Sequence, residues 1–249
     1  MKNSSHTISV GCNLDKWKGY GIKEPVLVDI SPNTNSSIIM AGMSGSGKSY
    51  AENLIFAKLV ANVPDAECYF ADYKQEPAFE YLRGCPRYFP YKKAIEALDI
   101  VYDKLQKRQS GEDKTLHPIT LIFDEYIACM LSLINEDKKK ATQTMNKVSD
   151  ILMIGRTLSV RLFITCQRPD AIAFPGGSRL NFGIIIILGG SATSIYEMLI
   201  PEHIDKVKDK LYERGEGVLL LQGVELHSIK IPTVQNVERI QEICIKALS

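Results

Sequence analysis

The sequence predicts an α/β fold: a mostly parallel central sheet with helices on both faces. Two observations predict it. Short apolar runs without polar alternation (SIIMA at 37–41, CYFA at 68–71, ITLIF at 119–123, RLFIT at 161–165, GIIIIL at 183–188) recur along the chain. Between them lie longer stretches with apolar residues at helical spacing. A strand apolar on both sides is buried on both faces, the state of a parallel strand covered by helices above and below. One hydrophobic core then serves the whole arrangement.

Taken in order, residues 1–25 are polar, carry Gly11, Gly19 and Gly21, and are expected to form an arm or irregular lead-in. Residues 26–249 are expected to form a single domain. A short strand at 26–30 precedes SIIMA. The stretch 49–63 places Leu54, Ile55, Phe56, Leu59 and Val60 on a helix, and 91–108 does the same with Ile95, Leu98, Val101, Tyr102 and Leu105. A helix is predicted over 142–156. The runs 218–221 and 226–231 read as a hairpin turning near Gly223, followed by a helix over 237–248.

Composition narrows the function. The chain has 249 residues, 45% of them hydrophobic, enough for a real core. Lys+Arg total 30 and Asp+Glu 29, so any attraction to nucleic acid must be local. The six cysteines show no metal-type spacing and are read as reduced thiols of a cytoplasmic protein. There is no signal-peptide pattern, and the longest apolar stretch, 182–188, is far short of the about 20 residues that span a bilayer. Any membrane anchor is expected from a partner chain.

In a parallel sheet, ligands gather beyond the carboxyl ends of the strands. The first end carries GMSGSGKS, which meets G-x-x-x-x-G-K-[ST] at Gly42, Gly47, Lys48 and Ser49. Glycines let the backbone curl so that successive N–H groups face phosphate oxygens, and the next helix adds its positive dipole end. The cradle is expected to comprise Gly42, Met43, Ser44, Gly45, Ser46, Gly47, Lys48, Ser49 and Tyr50. Lys48 should reach the β- and γ-phosphates of ATP, and Ser49 should ligate Mg2+. The alternative is a Gly/Ser turn that merely caps a helix.

The second end is Asp124-Glu125. Two carboxylates closing a buried strand are costly unless a cation meets them. Asp124 is expected to hold Mg2+ through water, and Glu125 to orient or deprotonate the attacking water. An Asp after a strand can also simply cap the following helix. The third end is Gln167-Arg168-Pro169, where Gln167 is placed to sense the γ-phosphate if its strand lies beside the cradle strand.

PVLVDI, SIIMAGMSGSGKS, CYFADYK, LIFDEYIA, IGRTLSVRLFITCQRP and ERGEGVLL, in this order, resemble the motor domain of the FtsK/SpoIIIE DNA translocases, within the FtsK–HerA group of P-loop ATPases. The similarity runs from about Val26 to Val234. It implies a RecA-like fold with a C-terminal hairpin, a hexameric ring, and movement of DNA driven by ATP hydrolysis. Asp72 and Lys74 match an Asp-Pro-Lys motif in which Tyr73 stands for proline. Arg156 falls where the family places an arginine finger that reaches the neighbouring subunit's ATP; its plain alternative is an arginine at a helix end. Lys138, Lys139 and Lys140 fall where loops line the ring's channel, so a positive collar against DNA phosphates is expected, the alternative being a solvated charged loop. Cys166 holds the family's usual Thr position, and Ile195-Tyr196-Glu197 does not match its Asp-Ser-Arg. The missing sequence-reading domain and membrane region suggest transfer or processing of a mobile element or plasmid. Two other readings stand beside this one: a protein-secretion ATPase of the type VII kind, and an ATP-binding assembly subunit that does not hydrolyse.

Overall fold

The structure, a computed structural model, describes residues 6–31, 34–63 and 66–249. Its centre is one ten-stranded sheet. In chain order the strands are β1 (Thr7–Asn13), β2 (Pro25–Asp29), β3 (Ile38–Ala41), β4 (Glu67–Asp72), β5 (Tyr88–Pro90), β6 (Ile119–Asp124), β7 (Val160–Cys166), β8 (Ile184–Leu188), β9 (Glu216–Leu221) and β10 (Glu225–Lys230). The helices are α1 (Leu14–Tyr20), α2 (Lys48–Asn62), α3 (Ala94–Gln109), α4 (Tyr126–Glu136), α5 (Lys138–Ile154), α6 (Thr193–Leu199) and α7 (Val237–Leu248).

The spatial order is β2-β1-β10-β9-β8-β3-β7-β6-β4-β5. From β8 to β5 neighbouring strands run parallel; β9, β10, β1 and β2 extend the sheet antiparallel. Alternation along each parallel strand feeds two cores. Ile39, Ala41, Leu162, Ile164, Ile185 and Ile187 face one core, with α3, α4, α5 and α6. Ile38, Met40, Phe163, Ile184 and Ile186 face the other, with α2 and α7. This two-sided burial is why the strands lack polar alternation.

The lead-in expected over 1–25 needs correction. Residues 1–5 lie outside the described residues, but 7–20 form β1 and α1, and β1 pairs with β2 and β10 inside the main sheet. Its signal was a strict alternation, with Ile8, Val10 and Cys12 buried, diluted by the intervening Ser9 and Gly11. The hairpin turn falls as expected: Gln222 and Gly223 both have positive φ (50° and 72°), and Val224 N–H bonds back to Leu221. All six cysteines are free.

The lysine triplet also differs from a loop. Lys138–Lys140 form the first turn of α5, capped by the Asp137 side chain, which accepts from Lys140 N–H at 3.0 Å. Three exposed cations at a helix N-terminus oppose the helix dipole.

Candidate nucleotide site

The cradle follows β3. Gly45 (φ 82°) and Gly47 (φ 97°) take left-handed conformations that only glycine adopts cheaply. Gly42 has another reason: a Cβ there would lie 2.6 Å from Leu188 O and 2.7 Å from Ser46 Oγ. Met43, Ser44 and Gly45 form the exposed rim. Lys48 is buried and donates to Gly42 O at 2.8 Å, folded over the loop it is expected to serve. Tyr50 departs from expectation. Its hydroxyl accepts from Val234 N–H (2.7 Å) and donates to Pro232 O (3.2 Å), so its side chain ties α2 to the C-terminal segment.

A second loop braces the cradle. Gly215 N–H donates to Ser46 O at 2.9 Å, and Gly189 N–H to Glu216 O at 2.7 Å. The Glu216 carboxylate is buried and accepts from Lys18 (2.8 Å), Lys230 (3.2 Å) and Glu213 N–H (3.1 Å). Burial raises its pKa, yet these donors outweigh burial and hold it below the usual glutamate value. A depressed pKa stabilises the fold above the unfolded-state value and stops doing so as pH falls through the folded value. Glu216→Gln should therefore cost about 1.5–3 kcal/mol at pH 7. The difference should narrow as the pH falls well below 4.5, read as Tm against pH; a difference independent of pH would contradict the charge argument.

The acidic strand end lies across from Lys48. Asp124 accepts from Thr165 Oγ1 at 2.6 Å, and the same hydroxyl lies 3.3 Å from Glu125 N–H. Burial pushes the Asp124 carboxyl up to about 7; Glu125 and Asp72 add to the rise and Thr165 opposes it. Its Oδ2 is buried with no partner. Glu125 is held at φ 52°, ψ 43°, a left-handed conformation costing a non-glycine residue roughly 1–3 kcal/mol. That turn aims its carboxylate at Lys74 (3.1 Å) and Lys48 (3.8 Å), and Gln167 Nε2 donates to it at 3.3 Å.

Gln167 reaches Glu125 because β7 lies between β3 and β6, the neighbour relation anticipated from sequence. The buried strand ends in Gln-Arg-Pro because its tip meets the acidic pair; Arg168 pairs with Asp170 at 3.1 Å. The structure thus brings together the cradle, Lys48, Asp124, Glu125 and Gln167. Arg156 is not among them. It is exposed in a 3-10 turn (Gly155–Leu158) before β7, at the opposite end of that strand from Gln167. It cannot serve its own chain's cradle.

Sequence reasoning missed the role of Thr165. Attention fell on Cys166, but that side chain points into the core with α4 and α5, while Thr165 faces the acidic end. Strand alternation was the available signal. It also missed Glu52, a carboxylate wholly buried on α2, whose pKa is raised well above normal by burial and by Asp124, Asp72 and Glu125. Its signal was one acid on an otherwise apolar helix face.

The Asp124 carboxylate, whose Oδ2 no N–H, hydroxyl or cation reaches, is an oxygen ligand of the kind that suits a hard cation such as Mg2+, which keeps most of its waters.

No protein-family model matches the chain. Among curated proteins, the FtsK domain-containing protein YdcQ of Bacillus subtilis (strain 168) is 25% identical over 193 residues, 72% of this chain. The chain resembles an FtsK-type domain. It spans 39% of the length of that relative. Among solved structures, the pCW3 conjugation coupling protein TcpA, in monomer form with ATPγS, matches this chain with a TM-score of 0.71 at 18% identity. That match covers 97% of this chain and 70% of TcpA. The cytoplasmic domain of the Thermomonospora curvata type VII secretion ATPase EccC matches with 0.69 at 16% identity, covering 100% of this chain and 32% of EccC. EssC (ATPases 2 and 3) from Geobacillus thermodenitrificans gives 0.66 at 13%, covering 100% and 49%. The RecA-like α/β fold expected from sequence is the fold of these structures. Among the described residues, no helix is long and apolar enough to cross a membrane.

Proposed function

We propose that residues 26–249, together with β1 and α1, form one ATPase motor domain that acts on DNA as a subunit of a ring, in transfer or processing of a mobile element. The observation that carries this reading is the convergence of Lys48, Glu125 and Gln167 on one end of the sheet, beside a glycine cradle. The likeness to TcpA, named a conjugation coupling protein, supports a role in mobile-element transfer.

In this reading the cradle amides and Lys48 bind the ATP phosphates, Lys48 leaving the Gly42 carbonyl to do so. Ser49 and Asp124 would hold Mg2+, which would supply positive charge against the triphosphate. Glu125 takes the proton of the attacking water, with Lys74 and Gln167 fixing its position. Gln167 joins the γ-phosphate end to β7 and reports its loss. Arg156 lies far from its own cradle, so it is assigned to a neighbour's site, where a fixed guanidinium stabilises transferred charge. Lys138, Lys139 and Lys140, presented together at the start of α5, contact DNA phosphates.

A second reading, export of a protein, is favoured by the likeness to EccC and EssC. ATP turnover measured with double-stranded DNA, single-stranded DNA, a secreted peptide or nothing, at several protein concentrations, separates the two. DNA should stimulate, and turnover per subunit should rise steeply with concentration, because the finger comes from another chain. Stimulation by peptide alone would favour export. A flat concentration dependence would reject the shared site, and background turnover under every condition would favour a non-hydrolysing subunit.

A further inference from the structure

Glu52 has no part in the mechanism above, yet it is placed in its midst. It lies on α2, three residues after Ser49, so the two share a helix face about one turn apart. Its side chain has 0% exposure; its carboxyl lies within hydrogen-bonding reach of the Asp124 carboxyl, and no N–H, hydroxyl or cation reaches either of its oxygens. An unpartnered buried carboxylate is among the costliest groups a core can hold. Its neighbours are Asp124, Asp72 and Glu125. Asp72 is satisfied by Tyr88 (2.6 Å) and by the amides of Gln75 (2.6 Å) and Glu76 (3.2 Å). Glu125 has its lysines. That leaves Glu52 and Asp124 Oδ2 as carboxylate oxygens with no donor beyond one another.

We propose that Glu52 joins Asp124 in holding, through water, the divalent cation of the bound triphosphate. This rests on the ATP reading above. Strand and helix geometry support it: Asp72 and Asp124 end β4 and β6, and Thr165 is the last residue but one of β7, all on the face that α2 covers, so Glu52 closes the cluster from above. Among the described residues no three acidic, histidine or cysteine groups stand close enough to grip a bare ion. The fit is therefore to a hydrated ion, whose waters donate to both open carboxylates. Mg2+ gives up its waters reluctantly and is commonly held this way. Carboxylates one layer out orient those waters and tune affinity.

The rival explanation is a structural acid pair, with a protonated Glu52 donating to Asp124 Oδ2. Glu52→Gln distinguishes the two, because an amide N–H can replace that donor, whereas the amide carries no charge and offers the ion's waters one acceptor oxygen in place of two. Mn2+ serves as the probe ion, titrated by electron paramagnetic resonance in the presence of a non-hydrolysable ATP analogue. E52Q should weaken Mn2+ in the ternary complex about tenfold or more. Affinity for the analogue without metal should stay unchanged. Wild-type Mn2+ affinity in E52Q would overturn the proposal in favour of the acid pair. No analogue binding by the unaltered chain would overturn the ATP reading, and the proposal with it. If E52Q does not fold, protein labelled with 13C at glutamate carboxyls and carrying Glu125→Gln supplies the measurement. Electron–nuclear double resonance of its bound Mn2+ should still show a carboxyl carbon, from Glu52. Its complete absence would overturn the assignment.

Discussion

Glu125→Gln should lower ATP turnover by at least about a hundredfold, the usual loss on removing a general base, while ATP binding persists. The expectation follows from the turn that positions this residue. Glu125 bears a left-handed backbone and is aimed at two lysines and Gln167. Strain of this kind persists where the surrounding structure over-determines it. The same geometry makes binding robust to the change. Without nucleotide, the carboxylate partly neutralises Lys74 and approaches Lys48. A neutral amide leaves those cations freer to meet phosphate. Turnover and equilibrium binding of a fluorescent ATP analogue, measured on one preparation, check both halves. Turnover within a few-fold of wild type would remove Glu125 from the reaction and leave its lysine contacts as structure.

Gly217→Ala should be the most damaging small substitution in the sheet. Gly217 lies in β9 between Leu188 of β8 and Ile229 of β10. A Cβ there would collide with the carbonyl oxygen of Ile187, and backbone paired to a strand on each side cannot step aside. Overpacking against backbone costs about 3 kcal/mol or more, or about 6–12 °C in Tm for a chain of this size. The damage should extend to the cradle. Leu188 O lies against Gly42, and Gly189 packs on Ser46, so a displaced β8 shifts the loop that β3 delivers. Thermal unfolding and analogue affinity should fall together. A Tm within about 2 °C of wild type would mean that β8 and β9 are less firmly paired than their register indicates.

Much of this was legible in the chain itself, and particular residues show why. The cradle announces itself because phosphate binding needs backbone freedom at Gly45 and Gly47 and a lysine at one fixed distance along the chain. Local chemistry of that kind is written locally. The apolar runs marked the strand cores for the same reason: burial on two faces leaves room for few polar residues in between, here Thr120, Arg161 and Thr165. Asp124-Glu125 and Gln167-Arg168-Pro169 stood out as polar ends to such runs. The α4 helix was passed over because YIACMLSLI reads as one apolar run after a strand, although Tyr126, Ile127, Met130 and Leu133 recur at helical spacing on its buried face.

Sequence by itself determined the cradle, the strand ends and the alternation of strand with helix, since each depends on neighbours within a few residues. Only the tertiary structure decided which ends meet. Setting β7 between β3 and β6 brings Gln167 to Glu125, 42 residues away, and Thr165 to Asp124, 41 away. It likewise decided that residues 7–20 belong to the sheet, that Arg156 faces away from its own cradle, and that Glu52 closes over Asp124. The physical reason is that pairing order and side-chain convergence are set by long-range packing, where the energy belongs to the contact and neither residue carries it alone.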